Sequence, residues 1–273
     1  QTSLLDKLKA LQTGDGGWQW FPGMQSNLQL TVQITEMLLK AKSQAPELSS
    51  DVTPLVDKAF KYLDRLAVEQ VKSMRKSKLK EIPATWLHYV YVATIAGHCD
   101  SQEYKYMLKH IEDNSAQYNL YDKAIATYVL QATNRQKEAQ QLANSLIEHT
   151  VYRKGVGRYF DSVKAPSSWS MYRIPTQVKA IEALQAVYPQ KTAEINEMKQ
   201  WLLTSKHAQM WNNPLTSIEA VGCLLSSYDI DTTATLPAEI NIVTKEGKTL
   251  SLTPFIEKSS LEALGYIKTE ISI

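Results

Sequence analysis

Apolar residues recur at helical spacing over most of the chain. Leu4, Leu5, Leu8 and Leu11 fall on one face of a first helix. Ile34, Met37 and Leu38 continue a second helix, and Val52 to about Met74 predicts a third, with Pro54 near its start, where proline is tolerated. The run Trp86-Leu-His-Tyr-Val-Tyr-Val-Ala93 has strand-like propensity, but its neighbours are helical and it continues to Ala96, which makes it a buried helix. Further helices are expected near 101–112, 119–131, 135–149, 175–187, 191–204 and 215–227, joined by short links. The period changes after Asp229. Glu239-Ile-Asn-Ile-Val243 and Thr249-Leu-Ser-Leu252 alternate about a turn at Lys245-Glu-Gly247-Lys, which predicts a β-hairpin, and Leu264 to Ile273 reads as another strand. The expected organisation is a mainly α helical domain at 1–232 and a β-hairpin and strand at 233–273, the latter the start of a following β-domain.

One local grammar recurs between the helices. Leu11-Gln-Thr-Gly-Asp-Gly-Gly-Trp-Gln-Trp-Phe-Pro-Gly23 is a glycine-rich turn carrying large aromatics just before an apolar helix. Gly155-Val-Gly157-Arg-Tyr159-Phe160 leads through Trp169 to the helix at 176–184, and Trp211-Asn-Asn-Pro214 leads to the helix at 216–224. Repetition of one supersecondary unit suggests helical hairpins around a common centre. The turns are spaced irregularly, by roughly 140 and 45 residues, which fits an α/α toroid better than a solenoid of fixed period. Inner helices of such a ring should be apolar and rich in small residues, as Ala180, Ala183, Ala220, Gly222 and Cys223 are; outer ones should be amphipathic, as 135–149 is. The middle of the ring is expected to hold small and apolar side chains with no reactive group among them.

The 273 residues are 44% hydrophobic with a net charge of +2, enough for a large core and too weakly basic for a typical nucleic-acid binder. No apolar run approaches the ~20 residues of a membrane span. No signal peptide is visible, and the first residue is Gln1 rather than Met, which suggests processing or excision from a longer protein. Cys99 and Cys223 lie in helix-like apolar segments; they read as small buried hydrophobes, with a disulfide as the alternative.

Candidate chemistry is sparse. His98-Cys99-Asp100 has the residue types of a nucleophilic site, but adjacent helix positions point apart, so a helix-end cluster is the better reading. His88, His98, His110, His149 and His207 do not form a His-x-x-x-His pair, and no metal or cofactor is expected. Gly155-Val-Gly157 lacks the third glycine of a dinucleotide loop. Lys72-Ser-Met-Arg-Lys-Ser-Lys-Leu-Lys80 reads as the solvated C-terminal end of a helix, or as a contact for an acidic partner. Trp18, Trp20, Phe21, Tyr159, Phe160, Trp169 and Trp211 either cap the core or form an interaction surface, and Asp15 and Asp161 beside them are turn formers.

Two families share these features. The Asp15-Gly-Gly-Trp18 turn with the helix to Leu39, and the segments Trp169–Leu184 and Trp211–Leu225, resemble the thioester-containing domain of bacterial alpha-2-macroglobulins. Gly247-Lys-Thr-Leu and Gly265-Tyr-Ile-Lys are similar to the β-strands that follow that domain. The resemblance implies an α/α toroid in a large protease-trapping protein of the periplasm or cell surface, partnered by neighbouring β-domains and by target proteases. Its covalent chemistry uses Cys-x-Glu-Gln. Cys99 is followed by Asp-Ser-Gln and Cys223 by Leu-Leu-Ser, so no covalent activity is assigned and a non-catalytic domain is expected. Gln12-Thr-Gly-Asp-Gly16-Gly-Trp18 is also similar to the Gln-x-x-x-Gly-x-Trp repeat of triterpene cyclases, and protein prenyltransferase β-subunits share the toroid. That alternative implies an enzyme or a cavity that binds an apolar ligand, but Asp229-Ile-Asp231-Thr232 lacks the last acid of the cyclase motif and no zinc set is evident.

Overall fold

A computed structural model describes residues 2–78, 81–161, 166–206, 211, 214–225, 241–243 and 249–251. The chain divides into two compact units, Gln1–Ser227 and Tyr228–Ile273. The first unit is mainly α: α1 (Thr2–Leu11), α2 (Leu28–Gln44), α3 (Ser49–Ser77), α4 (Ala84–Ala96), α5 (Gln102–Asn114), α6 (Leu120–Ala132), α7 (Gln136–Glu148), α8 (Pro166–Val187), α9 (Thr192–Thr204) and α10 (Pro214–Leu225). A hairpin of β1 (Thr150–Arg153) and β2 (Gly157–Phe160) lies between α7 and α8. In the second unit β3 (Asn241–Val243) pairs antiparallel with β4 (Thr249–Ser251), with Ile242 opposite Leu250. The predicted turn at 245–248, the strand at 264–273 and Asp229–Thr232 lie outside the described residues.

Local chemistry explains where the helices begin and end. Asn27, Ser101 and Asn119 cap α2, α5 and α6 by accepting the backbone N–H groups of Leu30, Tyr104 and Asp122. Gly97 closes α4 in the left-handed region, at φ 70°. Pro54 sits in the first turns of α3 and does not interrupt it. Trp86–Ala93 is helical, as its surroundings predict.

Two kinds of helix result. Successive even-numbered helices touch one another: α2 packs on α4, α4 on α6, α6 on α8, and α8 on α10. Gln44 of α2 also donates to the Gly222 carbonyl of α10 at 3.2 Å. Four of the odd-numbered helices pack against these, α3 on α2, α5 on α4, α7 on α6 and α8, and α9 on α8, while α1 packs on α3. In α4, seven consecutive-turn positions including Trp86, Tyr89, Val90 and Val92 are buried, so the helix has no solvent face of any width. In α7 only Ala139, Leu142, Ala143 and Leu146 are buried, a single stripe. Helices apolar on all sides must be covered on all sides, whereas an amphipathic helix covers others. Ala180, Ala183 and Ala220 are fully buried where α8 and α10 approach their neighbours.

The β1–β2 hairpin was not foreseen. Thr150 pairs with Phe160 and Arg153 with Gly157, so the second glycine-rich segment is a hairpin turn rather than a free loop. Gly157 takes φ +104°, and a Cβ there would lie 2.4 Å from the Glu197 carbonyl oxygen and 2.6 Å from the Trp201 nitrogen. Glycine at this position lets the hairpin lie directly on the backbone of α9. Neither cysteine is in a disulfide; Cys223 is buried and Cys99 half-buried, and burial pushes the Cys223 thiol up to about 12.

Candidate functional site

The first aromatic turn is a rigid clasp. The Asp15 carboxylate accepts from the Thr13 hydroxyl at 2.5 Å, the Ser26 hydroxyl at 2.6 Å and the Gly17 backbone N–H at 3.1 Å. Burial would raise this carboxyl, but these bonds and Arg65 hold it below its usual value. Asp15 is therefore a turn former, as expected. Gln12 Nε2 donates to the carbonyls of Gly16 and Leu55, both at 2.9 Å, so the cyclase-like glutamine ties the turn to α3. Gly16 takes φ +95°, and a Cβ there would meet the Lys58 carbonyl oxygen at 2.1 Å.

The aromatic residues separate into two roles. Trp18 is 1% exposed, and its Nε1 donates to the Leu8 carbonyl at 3.0 Å. Phe160 is fully buried, and Trp211 is buried with its Nε1 donating to the Leu202 carbonyl at 2.8 Å. These three are core plugs, so of their two expected roles they take the capping of the core and not the interaction surface: each large ring gains more by burial, and both indoles satisfy their N–H inside. Tyr159 is half-buried and stacks on Trp201 at 5.9 Å. The Trp169 side chain lies outside the described residues. Trp20 at 57% and Phe21 at 69% remain exposed, together with Met24. Trp20 and Phe21 are the described members of the predicted set that present large apolar area to solvent.

The interior contains a group of charges that the sequence reading did not find. The expectation of a middle filled only by small and apolar side chains is overturned. Lys179 of α8, 1% exposed, donates to Glu36 of α2 and lies 3.5 Å from Glu182. Lys40, one turn along α2 from Glu36, reaches Glu36 at 2.8 Å and Glu182 at 2.5 Å. His88 of α4 bonds the other Glu36 oxygen at 2.5 Å. Tyr91 donates to Glu182 at 2.7 Å, and its ring lies 4.0 Å from the Lys179 ammonium. Removing such charges from water is costly unless each finds an opposite charge. Burial alone would raise both glutamates, but Lys179 and Lys40 outweigh it, holding Glu182 below and Glu36 well below the ordinary carboxylate value. Burial would lower both lysines, but Glu36 and Glu182 raise them. Tyr91 is pushed well up by burial and by the two carboxylates.

Two cavities adjoin this cluster. One of about 320 Å³ lies between α2 and α10. The other, about 390 Å³, is lined by Tyr91, Tyr128, Glu182 and Gln185, and both cavities include Lys40, Gln44 and Gly222 in their walls. Glu36, Lys40, Lys179 and Glu182 left one trace in the sequence. They are charged residues placed among apolar and small neighbours on helices that have no clear polar face.

The remaining candidates do not converge. His98 pairs with Asp64 of α3 at 2.8 Å and stacks on Phe60 at 4.3 Å, so it joins α3 to the end of α4. The Cys99 thiol instead faces the Ala93 carbonyl at 3.8 Å. His149 bonds the Ser145 carbonyl through Nδ1 at 2.6 Å, the His110 ring packs tilted against Tyr106 at 4.7 Å, and His207 lies outside the described residues. Among the described residues, no group of three or more potential metal ligands comes together. The basic run ends α3 at Ser77, with Lys78 in the left-handed region and Arg75 over the Tyr106 ring. No described helix is long and apolar enough to cross a membrane. No family model matches the chain, and no curated protein sequence matches it.

Proposed function

We propose that the helical unit is a non-catalytic interaction domain of an alpha-2-macroglobulin-like protein that traps proteases at the periplasmic or cell surface. In this reading α2, α4, α6, α8 and α10 form the inner ring of an α/α toroid. The order of helix contacts supports that arrangement, as does the bond from Gln44 back to Gly222. Neighbouring β-domains and the target protease are the partners.

The observation that carries the reading is the exposure of Trp20 and Phe21 on a turn locked by Asp15. Two large rings held in water by a rigid turn lose little entropy on docking, which suits a protein contact. The interior charges support a structural role. Glu36, Glu182, Lys40 and Lys179 are engaged with one another, which leaves neither a free general acid nor a free base among these four.

The test uses the full-length protein that contains this chain. It is incubated with an endoprotease, and the protease is then assayed on a large protein substrate and on a small chromogenic peptide. Trapping protects the large substrate while hydrolysis of the small peptide persists. Equal cleavage of the large substrate with and without the protein would refute the proposal. Thiol release on methylamine treatment reports separately whether a thioester exists elsewhere in that protein.

A further inference from the structure

The cavity between α2 and α10 has a charge balance that the surrounding ion pairs leave open. One wall is apolar, formed by Met37 and Ala41 of α2 with Leu215, Ile218 and Val221 of α10. The polar part of the lining includes Glu36, Lys40 and Glu219. Lys40 is already held between Glu36 and Glu182, and Lys179 faces the same two carboxylates. Those two cations and two anions balance. Glu219 is a third carboxylate, and no ion pair among the described residues includes it. Burial and the like charge of Glu36 raise its pKa, even though Lys179 and Lys40 act the other way. The cavity therefore offers an apolar wall and one carboxylate that has no ion pair among the described residues.

We propose that this cavity is a binding site for an alkylammonium group, with the cation against Glu219 and the aliphatic chain along Met37, Leu215, Ile218 and Val221. An anion meets two carboxylates in the lining and finds Lys40 already engaged. A neutral apolar molecule gains the wall but leaves the acid uncompensated. A large cation does not fit, because about 320 Å³ is at the small end of ligand sites. The same chemistry is offered by a free primary amine and by a lysine side chain of a polypeptide. The inference is independent of the trap reading, since it uses neither Trp20 nor Phe21.

The experiment is a titration of the ¹⁵N-labelled chain with n-pentylammonium, n-pentanol and n-pentanoate at neutral pH, followed by amide shifts. A fourth arm uses a short peptide with one central lysine and blocked termini. Pentylammonium is expected to saturate shifts at Ala41, Val221 and Gly222. Pentanol and pentanoate should bind at least about tenfold more weakly, because neither brings a positive charge to the carboxylate. Glu219→Gln should weaken the amine by a similar factor. Val221→Trp should abolish binding by filling the cavity, and the chain should fold, because Val221 is partly exposed. Saturation by the peptide points to a lysine side chain, and saturation by the amine alone points to a free amine; either supports the site. Equal binding of pentanol or pentanoate, an unchanged amine affinity in Glu219→Gln, or no saturable shift with any probe overturns it.

Discussion

Lys179 and Glu36 stand 143 residues apart in sequence, and their side chains meet in the interior as an ion pair that joins α8 to α2. The pair is a keystone, because Lys40, Glu182, His88 and Tyr91 all bond to one or other member or its partner. Removing Lys179 leaves Glu36 and Glu182 to share Lys40, an excess buried charge that costs about 3–5 kcal/mol. Lys179→Met is therefore expected to lower stability by that amount in urea unfolding, read from the cooperative transition of the helical signal. Lys179→Met combined with Glu36→Gln should recover part of the loss, because the stranded carboxylate is gone. A single-variant loss below about 1 kcal/mol would show that the pair is not buried as described.

The same four groups set a stability plateau in pH. Glu36 and Glu182 titrate lower in the folded state than in the unfolded chain. Their contribution is complete above the unfolded glutamate value of about 4.3 and is lost as pH falls through the lower folded values. Lys40 and Lys179 titrate higher when folded. Their contribution is complete below the unfolded lysine value of about 10.4 and is lost as pH rises through the folded values. The contribution of these four groups should stay level between these limits and drop on both sides, superposed on the decline that Glu219 and the Cys223 thiol add as pH rises. In Lys179→Met the alkaline drop should shrink. A wild-type midpoint that climbs steadily across the neutral range would contradict this assignment.

Glu219 has the opposite sign. Its folded pKa is raised, so folding favours the protonated form, and that preference turns into a cost as pH rises through the folded value. Glu219→Gln is expected to raise the thermal midpoint at pH 7 by about 1–4 °C. The gain should vanish below about pH 4, where the carboxyl is protonated in both states. A lower midpoint at pH 7 would mean that the carboxylate has a favourable partner.

The helices were legible because their apolar spacing is a local property. Leu4 to Leu11 repeat on one face, and Pro54 lies near the beginning of α3, each within a few turns of chain. The hairpin at Thr150–Phe160 was missed because its glycine-rich segment resembled the other aromatic turns, while its register depends on contact with α9. The charge cluster was missed for a related reason. Lys179 next to Val178 and Ala180 looks like an exposed break in an apolar helix until Glu36, far away in sequence, supplies its counter-charge. The aromatics were ambiguous because Trp18 and Trp20 are two residues apart, and only the fold decides which ring is covered.

Glycine positions offer a test of the clasp. Gly16 and Gly157 combine positive φ with a neighbouring backbone that a Cβ would strike. Gly16→Ala and Gly157→Ala should each cost at least about 1–3 kcal/mol, since both the conformation and the contact are unfavourable. Gly14→Ala meets nothing within 4 Å and has no positive φ, so it should stay within about 0.5 kcal/mol of wild type. Equal effects at Gly14 and Gly16 would show that the turn is not packed on α3.

Trp18 and Trp20 separate stability from interaction within one turn. Trp18 is buried and bonded to the Leu8 carbonyl, so Trp18→Ala should cost about 3–5 kcal/mol. Trp20→Ser and Phe21→Ser remove exposed rings and should change stability by no more than about 0.5 kcal/mol. If the exposed pair is a docking surface, the double substitution should leave urea unfolding unchanged while the full-length protein loses most of its protection of a large protease substrate. It should also reduce binding of a hydrophobic dye to the isolated chain, because the patch of Trp20, Phe21 and Met24 is broken up. Unchanged protection with unchanged stability would place the contact elsewhere.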